Sequence, residues 1–344
     1  MHAVLDHLPA GFLDVGAREI RRVLDRPTLV HLPGRRGQPL FVSVLLHGNE
    51  DTGLAAIQEV LRAYAGRALP RALSVFVGNV GAAAEGLRRR DGEPDYNRIW
   101  PGADTRGTPE HAMAQAVFDA MRARGPFAAI DIHNNTGTNP HYGCVNRLDA
   151  SFLHLATLFS RIVVHFTRPL GVLTAAFAGL CPAVAIECGK PGSDAAAAHA
   201  AELIDACLHL DHFPTHPVAA HDIDLYRTVG IVRVPERVRF AFDGQAKESG
   251  DFLDGVDLVF PSDLDRRNFR DLPAGSAFAR APRDACMPID VQDETGADVT
   301  DRHFVLDRGE IRLRKPVMPA MLTLDARVIR QDCLCYLMER IAVI

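Results

Sequence analysis

One rhythm constrains this chain before any single residue does. Through its first two thirds, short apolar runs alternate with segments whose apolar residues recur every three or four positions. The runs are Leu40–Leu46, Leu73–Val77, Ala128–Ile132, Ile162–Phe166 and Ala183–Ile186. Between them, Thr52–Tyr64 carries Leu54, Ile57, Val60 and Leu61, and Pro109–Met121 carries Met113, Val117, Phe118 and Met121, the spacing of amphipathic helices. Thr108 and Pro109 suit a cap and a first helical turn, and Ser193 or Asp194 caps a third helix over Ala195–Leu210. Strand, helix and strand in this order predict an α/β fold: a mixed, mostly parallel sheet flanked by helices. The texture changes after His212, where Pro214 and Pro217 mark a linker. Short strands then dominate: Gly230–Val234, Val238–Phe242, Leu258–Phe260, Phe304–Leu306, Ile311–Leu313 and Met321–Ile329. The predicted division is therefore a first domain over 1–215 and a smaller β-rich C-terminal domain over 216–344.

Composition excludes several functions. Of 344 residues, 47% are apolar and 24% charged, the mix of a globular chain. The 38 basic against 43 acidic residues give a net charge of −5, which offers no general attraction for a phosphate backbone, so nucleic acid is not the expected partner. Seven cysteines without a CxxC pair argue for reduced thiols, and no basic segment followed by an apolar core opens the chain, so a cytoplasmic location is expected. Leu170–Ile186 is uncharged for seventeen residues, but it is short for a membrane span and is interrupted by Gly171, Gly179 and Pro182. No membrane segment is expected. The fifteen histidines direct attention to metals.

The sharpest local signal is Leu45-Leu46-His47-Gly48-Asn49-Glu50, where a core strand ends, a glycine turns the chain and a helix begins. This places His47 and Glu50 at the carboxyl end of a strand, where open α/β sheets bind ligands. One imidazole and one carboxylate make two thirds of a catalytic zinc set. A second buried strand ends in Asp131-Ile132-His133-Asn134, which offers His133 as a third ligand, with His141 as the alternative. Asp131 is placed either to orient an imidazole or to cap the next helix. The run Ala183-Val184-Ala185-Ile186-Glu187 puts one carboxylate at the end of an apolar strand, suited either to general acid/base work or to an ion pair. The segment Arg88-Arg89-Arg90-Asp91-Gly92-Glu93-Pro94-Asp95-Tyr96-Asn97-Arg98 supplies guanidinium groups able to grip a carboxylate or polarise a carbonyl.

Together, His47-Gly48-Asn49-Glu50, Asp95-Tyr96-Asn97-Arg98, Asp131-Ile132-His133-Asn134 and Glu187 resemble, in order and context, the succinylglutamate desuccinylase/aspartoacylase family, a branch of the zinc carboxypeptidase superfamily. The resemblance implies a zinc-carboxypeptidase-like first domain and one Zn2+ per chain on His47, Glu50 and His133. It implies Glu187 as general acid/base, Arg90, seven residues before Asn97, as the carbonyl-polarising arginine, and Asn97 with Arg98 as the grip on a substrate carboxylate. The expected function is a zinc-dependent deacylase acting on an N-acyl amino acid or a related small amide. A metallocarboxypeptidase and a non-catalytic binding protein of the same fold are the alternatives, and a homo-oligomer is left open. No G-x-S-x-G occurs, which argues against a serine hydrolase. Two departures bear on substrate. Phe177 stands ten residues before Glu187, where aspartoacylases carry an arginine, and Lys315-Pro316-Val317-Met318 lacks the tyrosine of the family's second domain. An apolar ring at 177 leads to the expectation of neutral or apolar side chains in the substrate, unless Arg168 or Lys190 supplies the missing cation.

Overall fold

The computed structural model describes residues 2–104, 107–244, 248–249, 252–253 and 255–342. The chain divides into two compact units. One runs up to Asn134 and resumes from His141 to Leu225; the other comprises Asn135–Pro140 and Tyr226–Ile341.

The first unit is built on eight strands: β1 (Ala3–Leu5), β2 (Thr28–Leu32), β3 (Gly34–Val44), β4 (Leu69–Val77), β5 (Ala128–His133), β6 (Tyr142–Val145), β7 (Ile162–His165) and β8 (Ala183–Glu187). Their spatial order is β1-β2-β4-β3-β5-β8-β6-β7. Only β2 with β4 and β6 with β8 run antiparallel; the other pairs are parallel, giving the expected mixed, mostly parallel sheet. The central strands read as near-continuous Val, Ile and Ala because both of their faces are covered. Val42, Val44, Ile130, Val184 and Ile186 are all fully buried.

Among the described residues, six α-helices accompany these strands: α1 (Thr52–Ala63), α2 (Val80–Glu85), α3 (Pro109–Arg124), α4 (Ala150–Thr157), α5 (Leu173–Phe177) and, after β8, α6 (Asp194–His209). The two faces can be told apart by single contacts. A Cβ on Gly53 of α1 would lie 2.9 Å from Val44 Cγ1 and 3.0 Å from Ile132 Cβ, so α1 presses on the face carrying those residues. On the opposite face, Phe177 of α5 stacks on Phe41 with ring centroids 4.6 Å apart. Phe41, Ser43, Asp131 and His133 alternate onto this second face, and Ser43 is in register with Asp131.

The uncharged stretch from Leu170 is thus divided among a loop, the short helix α5, a turn and β8. Among the described residues, no helix is long and apolar enough to cross a membrane.

The second unit contains an antiparallel group ordered Asp290–Gln292, the strand Asp224–Arg233 from Tyr226 onward, Cys335–Arg340, Met318–Ala320. It also holds a five-stranded sheet ordered Phe240–Phe242, Leu258–Phe260, Ala277–Arg280, Glu310–Leu313, Phe304–Asp307. Phe260, Phe278, Phe304, Ile311 and Leu337 belong to its core. One expected strand is corrected here. Met321–Ile329 does not run extended: Ala326–Gln331 is a helix, because the Asp325 carboxylate accepts from the amides of Arg327 and Val328 and nucleates a turn.

Candidate metal centre

Three chain segments bring His47, Glu50 and His133 together. β3 ends at Val44, and Leu45 then adopts a left-handed conformation, φ 56°, uncommon for a leucine, which breaks the strand and sends the chain over the sheet edge. Its carbonyl accepts from Asn79 N–H (2.6 Å). The next turn passes so close to α2 that a Cβ on Gly48 would lie 2.1 Å from Ala83 N, so only glycine fits between His47 and the helix. Glu50 N–H donates back to His47 O (3.2 Å), which closes the turn just before α1. His133 is the last residue of β5.

One ligand atom from each of the three buried side chains lies within 4.8 Å of the others. His47 Nδ1 is 2.8 Å from Glu50 Oε1, and His133 Nδ1 is 2.8 Å from Glu50 Oε2. The other ring nitrogens are also held: His47 Nε2 faces Asp95 Oδ1 at 3.0 Å, and His133 Nε2 faces Asp131 Oδ2 at 2.7 Å. A carboxylate on Nε2 fixes the tautomer that leaves Nδ1 free to ligate. Two imidazole nitrogens and one carboxylate, each oriented in this way, are a donor set that fits Zn2+.

The electrostatics follow from burial and from these pairings. Burial would push the Glu50 carboxyl up, but the facing His47 and His133 outweigh it and hold the carboxyl below its ordinary range. For His133, burial disfavours the charged form, yet Asp131 and Glu50 raise the ring well above its usual value. Burial likewise opposes charge on Asp95, but His47, Arg88 and Arg98 keep it well below the carboxylate range. The centre therefore concentrates negative charge where a cation would be received.

Glu187 ends β8 in register with His133 on the neighbouring parallel strand, so both side chains leave the sheet on one face. Asn97 is buried beside His133, with Nδ2 3.2 Å from His133 Nε2 and Oδ1 accepting from Leu173 N–H (3.0 Å). Arg98 Nη1 donates to Asn97 O (2.8 Å). The arginine run is placed differently from the count back from Asn97. Arg90 turns to α2, donating to Gly81 O (3.1 Å) and pairing with Glu85 (2.7 Å). Arg88 faces the centre instead, with Nη2 3.1 Å from Asp95 Oδ2 and Nη1 3.6 Å from Glu50 Oε1. Arg88 and Asp95 were both legible as parts of motifs, but without the structure neither had a partner.

Phe177 is corrected. It is fully buried, stacked on Phe41 and edge-on to Trp100 and Phe118, and so belongs to the core rather than to a substrate pocket. The expectation built on it, a preference for neutral side chains, loses its basis. His141 is paired elsewhere, its Nδ1 2.9 Å from His199 Nδ1. Arg168 lies 4.0 Å from Asp104.

No protein-family model matches the sequence, and no curated protein matches it. Solved structures do. A succinylglutamate desuccinylase from Chromobacterium violaceum matches with TM-score 0.56 and 17% identity, over 89% of this chain and 86% of its own. The chain has the desuccinylase/aspartoacylase fold. Murine aminoacylase 3 matches with TM-score 0.56 and 16% identity, over 90% of this chain and 97% of its own. A product-bound ectoine utilization protein from Ruegeria pomeroyi matches with TM-score 0.53 and 15% identity, over 90% and 88%. Within the desuccinylase/aspartoacylase fold, His47, Glu50, His133 and Glu187 all lie at or just beyond the carboxyl ends of β3, β5 and β8.

Proposed function

We propose that this chain is a zinc-dependent amidohydrolase that removes the acyl group from an N-acyl amino acid, with one Zn2+ held by His47, Glu50 and His133. The observation that carries the reading is the pair of imidazoles turning Nδ1 to one buried carboxylate while Asp95 and Asp131 hold the far nitrogens. The neighbours named as desuccinylase and aminoacylase support the acyl-amino-acid class. When bound, the ion supplies Lewis acidity, polarising a carbonyl and acidifying water.

The chain's own residues do the rest. Glu187, on the strand beside His133, takes a proton from the attacking water and returns it to the amine nitrogen as the C–N bond breaks. Arg88, rather than Arg90, presents the guanidinium that stabilises negative charge growing on the carbonyl oxygen. Arg98 binds the carboxylate of the amino-acid product, and Asn97 holds that arginine's turn against His133 and Leu173.

The test combines metal analysis with one variant. Purified protein should carry about one zinc per chain and should hydrolyse N-acyl amino acids in preference to dipeptides. Glu187→Gln should keep the metal and its melting temperature while losing at least about 100-fold in kcat. Near-wild-type turnover in that variant would remove Glu187 from the chemistry, and faster hydrolysis of dipeptides would favour a carboxypeptidase.

A further inference from the structure

α1 begins immediately after the metal-ligating turn, and its amino end is capped from outside. Its N-cap residue, Asp51, makes no capping bond with its own side chain and instead accepts from Gly192 N–H (3.0 Å). The cap comes from the residue after β5: Asn134 Oδ1 accepts from Thr52 N–H (3.2 Å), one of the donors that the first turn of a helix leaves unpaired. The Asn134 Nδ2 group donates twice, to Thr52 Oγ1 (2.9 Å) and to Gly189 O (2.9 Å). The side chain is buried, and both its donors and its acceptor are used. Asn134 follows His133, Thr52 lies two residues beyond Glu50, and Gly189 two residues beyond Glu187.

We infer that Asn134 is a positioning residue that holds the segments carrying His133, Glu50 and Glu187 in a fixed relation, and so sets the affinity of the centre for its metal. One amide fastens the end of β5 to the start of α1 and to the turn after β8. A backbone bond, Cys188 N–H to His133 O (2.9 Å), ties the two strand ends but does not itself reach α1. Asp51 adds one side-chain bond from the start of α1 to Gly192, whereas Asn134 makes three, to Thr52 N–H, Thr52 Oγ1 and Gly189 O, which fix its orientation. Partners that orient ligands typically change metal affinity by about 10–100-fold when lost.

The inference rests on the metal-centre reading above, and the experiment separates the two. Zn2+ affinity is measured by competition with a chromophoric chelator on folded, metal-free protein, together with kcat and KM. Asn134→Asp keeps the size and the acceptor but cannot donate to Gly189 O; Thr52→Val keeps the shape but removes the hydroxyl acceptor. Asn134→Asp should weaken Zn2+ binding by about 10–100-fold and lower kcat more than it raises KM, with Thr52→Val intermediate. A control on the same helix is Gln58→Ala, which removes a buried amide bonded to Phe12 O and Val15 O, away from the centre. It should lower the melting temperature and leave Zn2+ affinity unchanged. Affinity within about twofold of wild type in folded Asn134→Asp, or an equal loss in Gln58→Ala, overturns the inference alone. Wild-type protein that takes up no Zn2+ overturns the metal centre, and this inference with it.

Discussion

Arg88 and Arg90 differ by two positions and by everything around them. Arg88 O accepts from Gly48 N–H (3.0 Å), which pins its backbone to the turn carrying His47, and its side chain is almost fully buried between Glu50 and Asp95. Arg90 N–H donates to Glu93 Oε2 (3.2 Å), and its guanidinium is drawn out to α2. The run of three arginines was evident in the sequence, but its phase was not. Counting back from Asn97 points to Arg90, whereas the bond to Gly48 is what draws Arg88 to the His47 turn and makes it the arginine proposed above. Asp95 is a similar case: its place in the motif was plain, while its grip on His47 Nε2 depends on a fold that brings residues 47 and 95 together. The consequence is a ranking. Arg88→Ala removes a cation from a buried pair of carboxylates and should lower kcat/KM by about 100-fold or more. Arg90→Ala should stay within about threefold, the effect of losing a partly exposed ion pair with Glu85. Paired steady-state kinetics on the two variants, with metal content checked, decides the order; the reverse ranking would return the carbonyl-polarising role to Arg90.

At the level of elements, the centre depends on how strands end. β3, β5 and β8 stop in line, and each releases a proposed ligand or base at its last residue or just beyond, which is why the strand-end histidines and Glu187 could be read from the sequence at all. Apolar runs announce buried strands because water is excluded from both faces, and α1 and α3 announce themselves by period. Short elements do not. α2 and α5 have too few turns to establish a period, and the helix Ala326–Gln331 hides in a β-branched segment until its Asp325 cap is seen. Glycine contacts were equally hidden, because the atom they avoid lies on another element. Gly48 tests this. Gly48→Ala would drive a methyl into the α2 backbone at Ala83, a wall that cannot rotate away, whereas Gly53→Ala meets side chains of Val44 and Ile132 at 2.9–3.0 Å. Gly48→Ala should therefore be the more destabilising of the two, by about 1–3 kcal/mol or more, and should also weaken metal uptake by shifting His47. Urea unfolding of both variants checks the order, and equal midpoints would show that α2 can recede.

Over the whole molecule, the clearest pH response comes from two histidines outside the centre, one in each unit. His31, hydrogen-bonded to Ser74 Oγ at 2.8 Å, is pushed down to about 4 by burial and by the charge of Arg124. His303, 2% exposed, is also pushed down to about 4, by burial first and then by Lys315 and Arg302. Its Nδ1 is buried without a hydrogen-bond partner. Both rings are neutral in the folded chain over a range in which the unfolded chain takes up protons. The sign follows: above the unfolded value near 6.5 neither ring affects stability, and as pH falls from there towards 4 the unfolded state binds protons that the folded state does not, so stability is lost. Below about 4 both states are protonated and the loss levels off. For a fully neutral folded ring the slope reaches at most about 1.4 kcal/mol per pH unit. Glu50 and Asp95, whose carboxyls are lowered, act in the same direction but only below the ordinary carboxylate range, whereas the raised His47 and His133 act in the opposite direction, above 6.5. Comparing variants with wild type at each pH removes these shared contributions. His303→Leu should therefore gain stability relative to wild type as pH falls from 6.5 to 4 and show no further relative gain below that, and His31→Asn should do the same to a similar extent because its ring is pushed down to the same value. Thermal melts from pH 7 to below pH 4 provide the comparison. A difference between His303→Leu and wild type that stays constant with pH would mean that the buried ring is charged in the folded protein, with an acidic partner close enough to hold the proton.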